Sequence, residues 1–372
     1  LMVGLSGQCF TLYIIGKQLE KSNYLKKAEE IFFFCFESIP NNDRVISLCS
    51  GIAGINLLAD HFHKHNFIDA SEILIMFDDV VKRRMKRELE FGYHDYLHGG
   101  LGYIFYLLAR NSVEYKDDIL VGMDILTNSL IESEEGIFVY NKLTEKNKEV
   151  NFGLAHGMPS VIYIHSLVYK HYKIPKIKRQ VEKMLDYFFK HVKLNNISEY
   201  AIPANISEDG ILPVNRLSWC YSELGASLAL ILAAKNIDST NYFCQSVRLA
   251  EHTLNFEVNN EVNINESCIC HGYFGNALIY HRLFEETANI EFSDKAASWI
   301  DAGFSDLMKY GTDLSKYQEL VVHSTSGVYW KKSNKLLTGL SGIALVCLYM
   351  SKEQTEKVNE DLNLFLKLFL LK

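Results

Sequence analysis

Two thiols and an imidazole stand out in this chain: Cys220 in the stretch WCYSE (219–223), and the adjacent pair Cys270-His271 in CICHG (268–272). Thiolate sulfur and imidazole nitrogen suit zinc, and three protein ligands leave a tetrahedral ion one open position. That donor set describes a catalytic centre rather than a structural one, and one zinc ion is the expected cofactor. The fifty-residue gap between Cys220 and Cys270 excludes a local zinc-finger loop, so the fold has to bring the ligands together. Cys268 is a rival ligand, two residues further from the apolar run that follows. His156 has no neighbouring cysteine and is the candidate acid/base. Asp95 can hold a histidine ring in one tautomer or take a proton itself. Arg216, four residues before Cys220, can hold a carboxylate or stabilise an enolate. His94 and His98 read as supporting or surface residues beside Asp95, and Cys49 as core.

Residues so far apart can be positioned by a repeat. GLSGQCFTLYI at 4, GIAGINLLA at 51, GGLGYIFYLLA at 99 and HGMPSVIYIHSL at 156 are variants of one segment. YSELGASLALILAA at 221, HGYFGNALIYHRL at 271 and GLSGIALVCLYM at 339 complete the set. Taking the first glycine (Ser222 in the fifth) as marker gives 4, 51, 99, 157, 222, 272 and 339, a period of about fifty residues. Each marker opens a run that is apolar nearly all round, which predicts a buried helix. Amphipathic stretches follow, such as 22–38, 68–89, 176–193 and 354–371. The expected fold is therefore all-α: a single-domain α/α toroid over 1–372, with seven inner helices wrapped by seven outer ones. The first and last repeats share GLSG, whereas an open array needs distinct polar caps. The two residues before each marker carry the chemistry. They are bland in repeats 1 and 7, but in repeats 3 to 6 they include His98, His156, Cys220-Tyr221 and Cys270-His271. These groups should converge on one sector of one rim. Insertions at 134–152 and 195–218 have strand or loop character and should wall that sector.

The chain is 48% hydrophobic, ample for a large core, and carries a net charge of −7. That mildly acidic balance argues against nucleic acid as a partner, no Lys/Arg run is expected to contradict it, and the densest basic cluster is taken to be KIPKIKRQ at 173–180, a solvated helix face. Eight cysteines are too few for a disulfide framework at this length. Cys9, Cys35 and Cys347 read as small buried hydrophobes, which suggests a reducing, cytosolic setting. The apolar N-terminus lacks a basic flank and shares its GLSG with 339–342, so it belongs to the fold. No segment reaches the ~18 uninterrupted apolar residues of a membrane span.

W-C-Y at 219–221, C-H-G at 270–272, A-H-G at 155–157 and the D-x-x-x-G-x-x-G stretch from Asp95 to Gly102 together resemble the lanthionine synthetase C-like family. The resemblance runs through all seven repeats. It implies an α/α toroid with one zinc, held by Cys220, Cys270 and His271, and an acid/base residue His156 with Asp95, Arg216 and Tyr221 around it. It implies a cyclase that joins cysteine thiolates of a dehydrated lanthipeptide precursor to dehydroalanine or dehydrobutyrine. It further implies a dehydratase and an export transporter as partners, and a cytoplasmic location, peripheral at the inner membrane face. Competing expectations are a zinc protein binding glutathione or another small thiol, a prenyltransferase-like enzyme, and a non-catalytic scaffold. Two departures stand out: Ser222 and Ser160 replace usual glycines of the family.

Overall fold

The computed structural model describes residues 1–39, 45–140, 148–258, 262–323, 327–351 and 355–372. All seven apolar runs are helices: α1 (Leu5–Gln18), α3 (Ile52–Lys64), α5 (Gly100–Asn111), α7 (Met158–Tyr172), α9 (Glu223–Asn236), α11 (Tyr273–Thr287) and α13 (Leu340–Met350). Each is followed by a helix with one apolar face: α2 (Ser22–Glu37), α4 (Ser71–Phe91), α6 (Lys116–Thr127), α8 (Pro175–Lys190), α10 (Thr240–His252), α12 (Ile290–Leu307) and α14 (Asn359–Leu368). The contrast follows from the sequence periods. In α9 every side chain from Glu223 to Ala234 is buried, whereas α8 buries Ile177, Val181, Met184, Leu185 and Phe188 at helical spacing and leaves its charged side in water.

The helices group into two compact units. The first comprises 1–39, 215–219 and 256–372, and in it α11, α13 and α1 pack in succession, backed by α12, α14 and α2. The first repeat thus lies against the seventh, and the Leu337 amide donates to the Met2 carbonyl at 2.8 Å. The glycine-bearing N-terminus is therefore part of the fold. The second unit comprises 40–214 and 220–255; here α3, α5, α7 and α9 pack in succession, backed by α4, α6, α8 and α10. A buried polar cluster ties three of its helices. Asp78 of α4 accepts from Tyr106, from Tyr115 at 2.5 Å and from Arg110 at 2.8 Å, and Arg110 reaches Asp60 of α3 at 2.6 Å.

Both expected insertions contain strands. β1 (Ile131–Ser133) and β2 (Gly136–Phe138) form a hairpin, and β3 (Glu149–Asn151) pairs antiparallel with β4 (Pro203–Ser207), which pairs with β5 (Gly210–Pro213). One sheet therefore joins the segments 134–152 and 195–218; residues 141–147 of the former lie outside the described residues. A further hairpin, β6 (Gln318–His323) and β7 (Gly327–Lys332), occupies the longest repeat spacing, which the repeat comparison passes over. Among the described residues no helix is long and apolar enough to cross a membrane. All eight cysteines are thiols; Cys9 and Cys49 are buried, while Cys35 and Cys347 are half-buried rather than core.

Candidate functional site

The residues two before each marker occupy equivalent places in the backbone. The Cys49 amide donates to Leu97 O at 3.0 Å and Ala155 to Cys220 O at 3.3 Å. In the other unit Cys270 donates to Leu337 O at 3.2 Å, and Leu337 to Met2 O. Each of these bonds links the same position in successive repeats, the seventh being followed by the first. The polypeptide then turns sharply into the helix, and this is where the marker glycines act. A Cβ on Gly157 would lie 2.2 Å from Asn151 O, so the approach of the preceding loop requires glycine. Ser222, the exception, is buried and caps α9: its hydroxyl accepts from the Leu224 amide at 3.2 Å. Ser160 likewise turns its hydroxyl onto its own helix, donating to Gly157 O at 2.9 Å.

The second unit brings together Asp95, His156, Tyr221 and Cys220. His156 Nδ1 donates to Asp95 Oδ2 at 2.5 Å, and Asp95, 1% exposed, also accepts from the His98 amide at 2.8 Å. A carboxylate can only accept, so this contact fixes the proton on Nδ1 and leaves Nε2 for chemistry. Burial opposes charge on the ring, but the hydrogen bond and charge of Asp95, with the field of Cys220, hold His156 above the usual imidazole range. The His98 ring stacks at 6.2 Å from His156; although His98 is exposed overall, the ring's partial desolvation, opposed by Asp95 and helped by His156, pushes it below the usual range. The Tyr221 ring sits 5.9 Å from His156, and its hydroxyl accepts from Asn151 Nδ2 at 2.9 Å. Burial raises the Tyr221 phenol despite that bond, so it stays protonated near neutrality. Cys220 is half-buried and precedes the cap of α9.

The first unit holds Cys270, His271 and Arg216. Cys270 and His271 are half-buried at the start of α11. His271 Nε2 donates at 2.7 Å to Glu266 Oε1, a carboxylate 2% exposed whose other oxygen accepts from the Leu320 amide of β6 at 3.1 Å. Ligand atoms of Glu266, Cys268 and His271 lie within 4.8 Å of one another, but Cys268 is fully buried, unlike Cys270. Arg216 is half-buried in the segment before Trp219 and makes no ion pair with a carboxylate among the described residues. Trp219 itself anchors that segment, its indole donating to Phe369 O at 2.8 Å.

Glu266 and Asn151 are site residues that the repeat comparison misses. Glu266 had a signal, a carboxylate five residues before a histidine in ESCICH. Asn151 had none, because its partner is seventy residues away. Cys49, at the ligand position of repeat 2, is 1% exposed and belongs to the core.

Over residues 1–366 the chain matches the family described as lanthionine synthetase C-like protein. It is 24% identical over 305 residues to the nisin biosynthesis protein NisC of Lactococcus lactis subsp. lactis, spanning 74% of this chain and 71% of that one. The solved structure of nisin cyclase aligns with a TM-score of 0.75 at 19% identity, covering 100% of this chain and 91% of the other. At that identity the likeness speaks to the fold alone, and the fold is the all-α, α/α toroid class that the repeats predict. The match over nearly every residue establishes that the chain belongs to the lanthionine synthetase C-like family.

Proposed function

We propose that the chain is a lanthionine-forming cyclase, acting on a precursor peptide whose Ser and Thr residues have been dehydrated. Family membership and the likeness to proteins of nisin biosynthesis support this reading. The observation that carries it is the Asp95–His156 pair, which presents a poised proton donor beside the backbone of Cys220.

The reading gives one zinc ion to Cys220, Cys270 and His271. The donor set fits: two half-buried thiols and an imidazole whose Nε2 is committed to Glu266, leaving Nδ1 as the ligand atom. Zinc, when bound, lowers the pKa of a peptide thiol from its free value of about 8.5, so that thiolate is present at neutral pH.

The protein's own groups then manage charge and protons. Sulfur bonds to the β-carbon of dehydroalanine or dehydrobutyrine, and the alkene electron pair moves onto the carbonyl as an enolate. Arg216 offers a guanidinium to that enolate. His156 delivers the proton from Nε2 to the α-carbon while Asp95 holds Nδ1. The proton lost by the peptide thiol restores the imidazolium, so the addition is redox-neutral. Tyr221, kept protonated, lines the same place and is the second candidate donor. A dehydratase supplies the substrate, an exporter removes the product, and the work is done in the cytoplasm, at the inner membrane face.

The test is zinc analysis of wild type and Cys220→Ala, followed by thiol alkylation of a dehydrated peptide after incubation. Loss of zinc in Cys220→Ala and loss of alkylatable thiol with wild type are expected. Stoichiometric zinc in the variant would overturn the ligand set. Thiols that persist with wild type would overturn the cyclase, and full activity of His156→Ala would point to another donor.

A further inference from the structure

The densest positive charge of the chain lies on α4. Residues 82–87 read KRRMKR, basic at every position except Met85, in a protein of net charge −7. This corrects the expectation that 173–180 is the densest basic cluster: that segment has four basic residues in eight, KRRMKR five in six. Met85 is buried with Val81 and Leu89, so helical spacing turns the basic residues outward. Lys82 is committed to Asp79 at 2.8 Å and Asp118 at 3.7 Å, and Arg84 to Glu88 at 2.6 Å. Arg83 and Arg87 are exposed and make no ion pair among the described residues. Four residues apart, they stand one above the other on a single face. With Arg84, Val80 and Ile46 they line a concavity of about 200 Å³.

Planar guanidiniums match carboxylates through paired hydrogen bonds, and the apolar floor of Ile46 and Val80 suits an aliphatic neighbour. A flat anionic surface such as a lipid headgroup layer is a poorer match. A flat surface would have to lie against exposed Glu72, Asp79 and Glu90 on the same helix as well, whereas a single peptide carboxylate need meet only the arginines. The concavity also has the size of a side chain. We infer that this site docks an acidic peptide segment, one carboxylate between Arg83 and Arg87 and an adjacent aliphatic side chain on Ile46 and Val80. The inference rests on the cyclase reading in one respect: that reading makes the peptide the precursor.

The test is fluorescence anisotropy on the full chain with a labelled synthetic decapeptide alternating Glu and Leu, and its Gln/Leu counterpart. The Glu peptide should bind wild type, weaken with added salt, and bind Arg83→Gln/Arg87→Gln about tenfold more weakly. The Gln peptide should bind wild type about tenfold more weakly than the Glu peptide. Neither arginine packs in the core, so the double variant should melt with wild type. Should it melt early, Arg83→Lys/Arg87→Lys keeps the charge and must still lose severalfold affinity through the missing fork. Equal affinity of wild type and both variants would overturn the site, as would equal binding of the two peptides. Phosphatidylserine vesicles, bound in an Arg83- and Arg87-dependent way in place of the peptide, would overturn it too. Anisotropy needs no ring formation, so the two readings separate. Arginine-dependent binding without cyclisation leaves the site standing, while cyclisation with an unchanged KM in the double variant removes the site and leaves the cyclase.

Discussion

Replacing Asp95 by Asn preserves the side-chain shape and removes the charge that faces His156. Asp95 is nearly inaccessible to water and places one oxygen 2.5 Å from His156 Nδ1 and the other 2.8 Å from the His98 amide. A hydrogen bond to a charged group contributes roughly 1.5–3 kcal/mol. Each ~1.4 kcal/mol is tenfold in rate, so the rate at neutral pH should fall roughly ten- to a hundredfold if His156 donates the proton. The pH profile gives the sharper readout. His156 is held above the usual imidazole range, so it stays protonated past about pH 6.5 and loses its proton as pH rises through the raised value. The alkaline limb of the wild-type rate should follow that loss. In Asp95→Asn burial still disfavours the imidazolium while the main opposing group is gone, so the limb should move to lower pH. The assay is loss of alkylatable thiol from a dehydrated peptide, followed by mass spectrometry across pH, with zinc content as a control. An unchanged rate and an unmoved alkaline limb, with zinc intact, would refute the assignment of His156 as the donor and Asp95 as its holder.

Three further outcomes follow from the packing. Ser222→Ala should cost about 0.5–2 kcal/mol in chemical denaturation and Ser222→Gly only a few tenths, because the hydroxyl caps α9 at Leu224 and glycine is a tolerable cap; equal losses would deny the cap its role. Gly275→Ala should destabilise by about 1–3 kcal/mol, since its Cβ would lie 1.8 Å from Ile269 O and backbone has to move; a melting temperature equal to wild type would contradict that geometry. Asp78→Ala should cost about 3–5 kcal/mol by leaving Arg110 half-paired and Tyr106 and Tyr115 without their acceptor. An Asp78→Ala urea midpoint close to wild type would show that the cluster is dispensable.

The departures from the family pattern show how local rules and packing divide the work. Ser222 stands where the other six repeats have glycine, although all seven markers share an extended backbone. It adopts the extended conformation that any residue tolerates and adds a cap that glycine lacks. Gly157 cannot be exchanged in the same way, because Asn151 fills the space its Cβ would need. Nothing in the two local sequences, HGMPS and YSELG, distinguishes these cases.

The sequence by itself determined the helices, their alternation and the equivalence of the positions two before each marker. Those properties follow from hydrophobic period and from glycine at a crowded turn, which are local. It also named Asp95, His156, Tyr221, Cys220, Cys270, His271 and Arg216 as residues able to do chemistry, because type and repeat position are both written along the chain. Only the tertiary structure decided that Asp95 holds His156, that Asn151 of β3 holds Tyr221, and that Glu266 turns His271 by its Nε2. It also decided that Cys268 is sealed while Cys270 is half-buried, and that KRRMKR lines a concavity. These are matters of which groups meet across tens of residues and what water can reach. Periodicity carries neither, since a hydrogen bond of 2.5 Å across sixty-one residues leaves no mark on the spacing of apolar side chains.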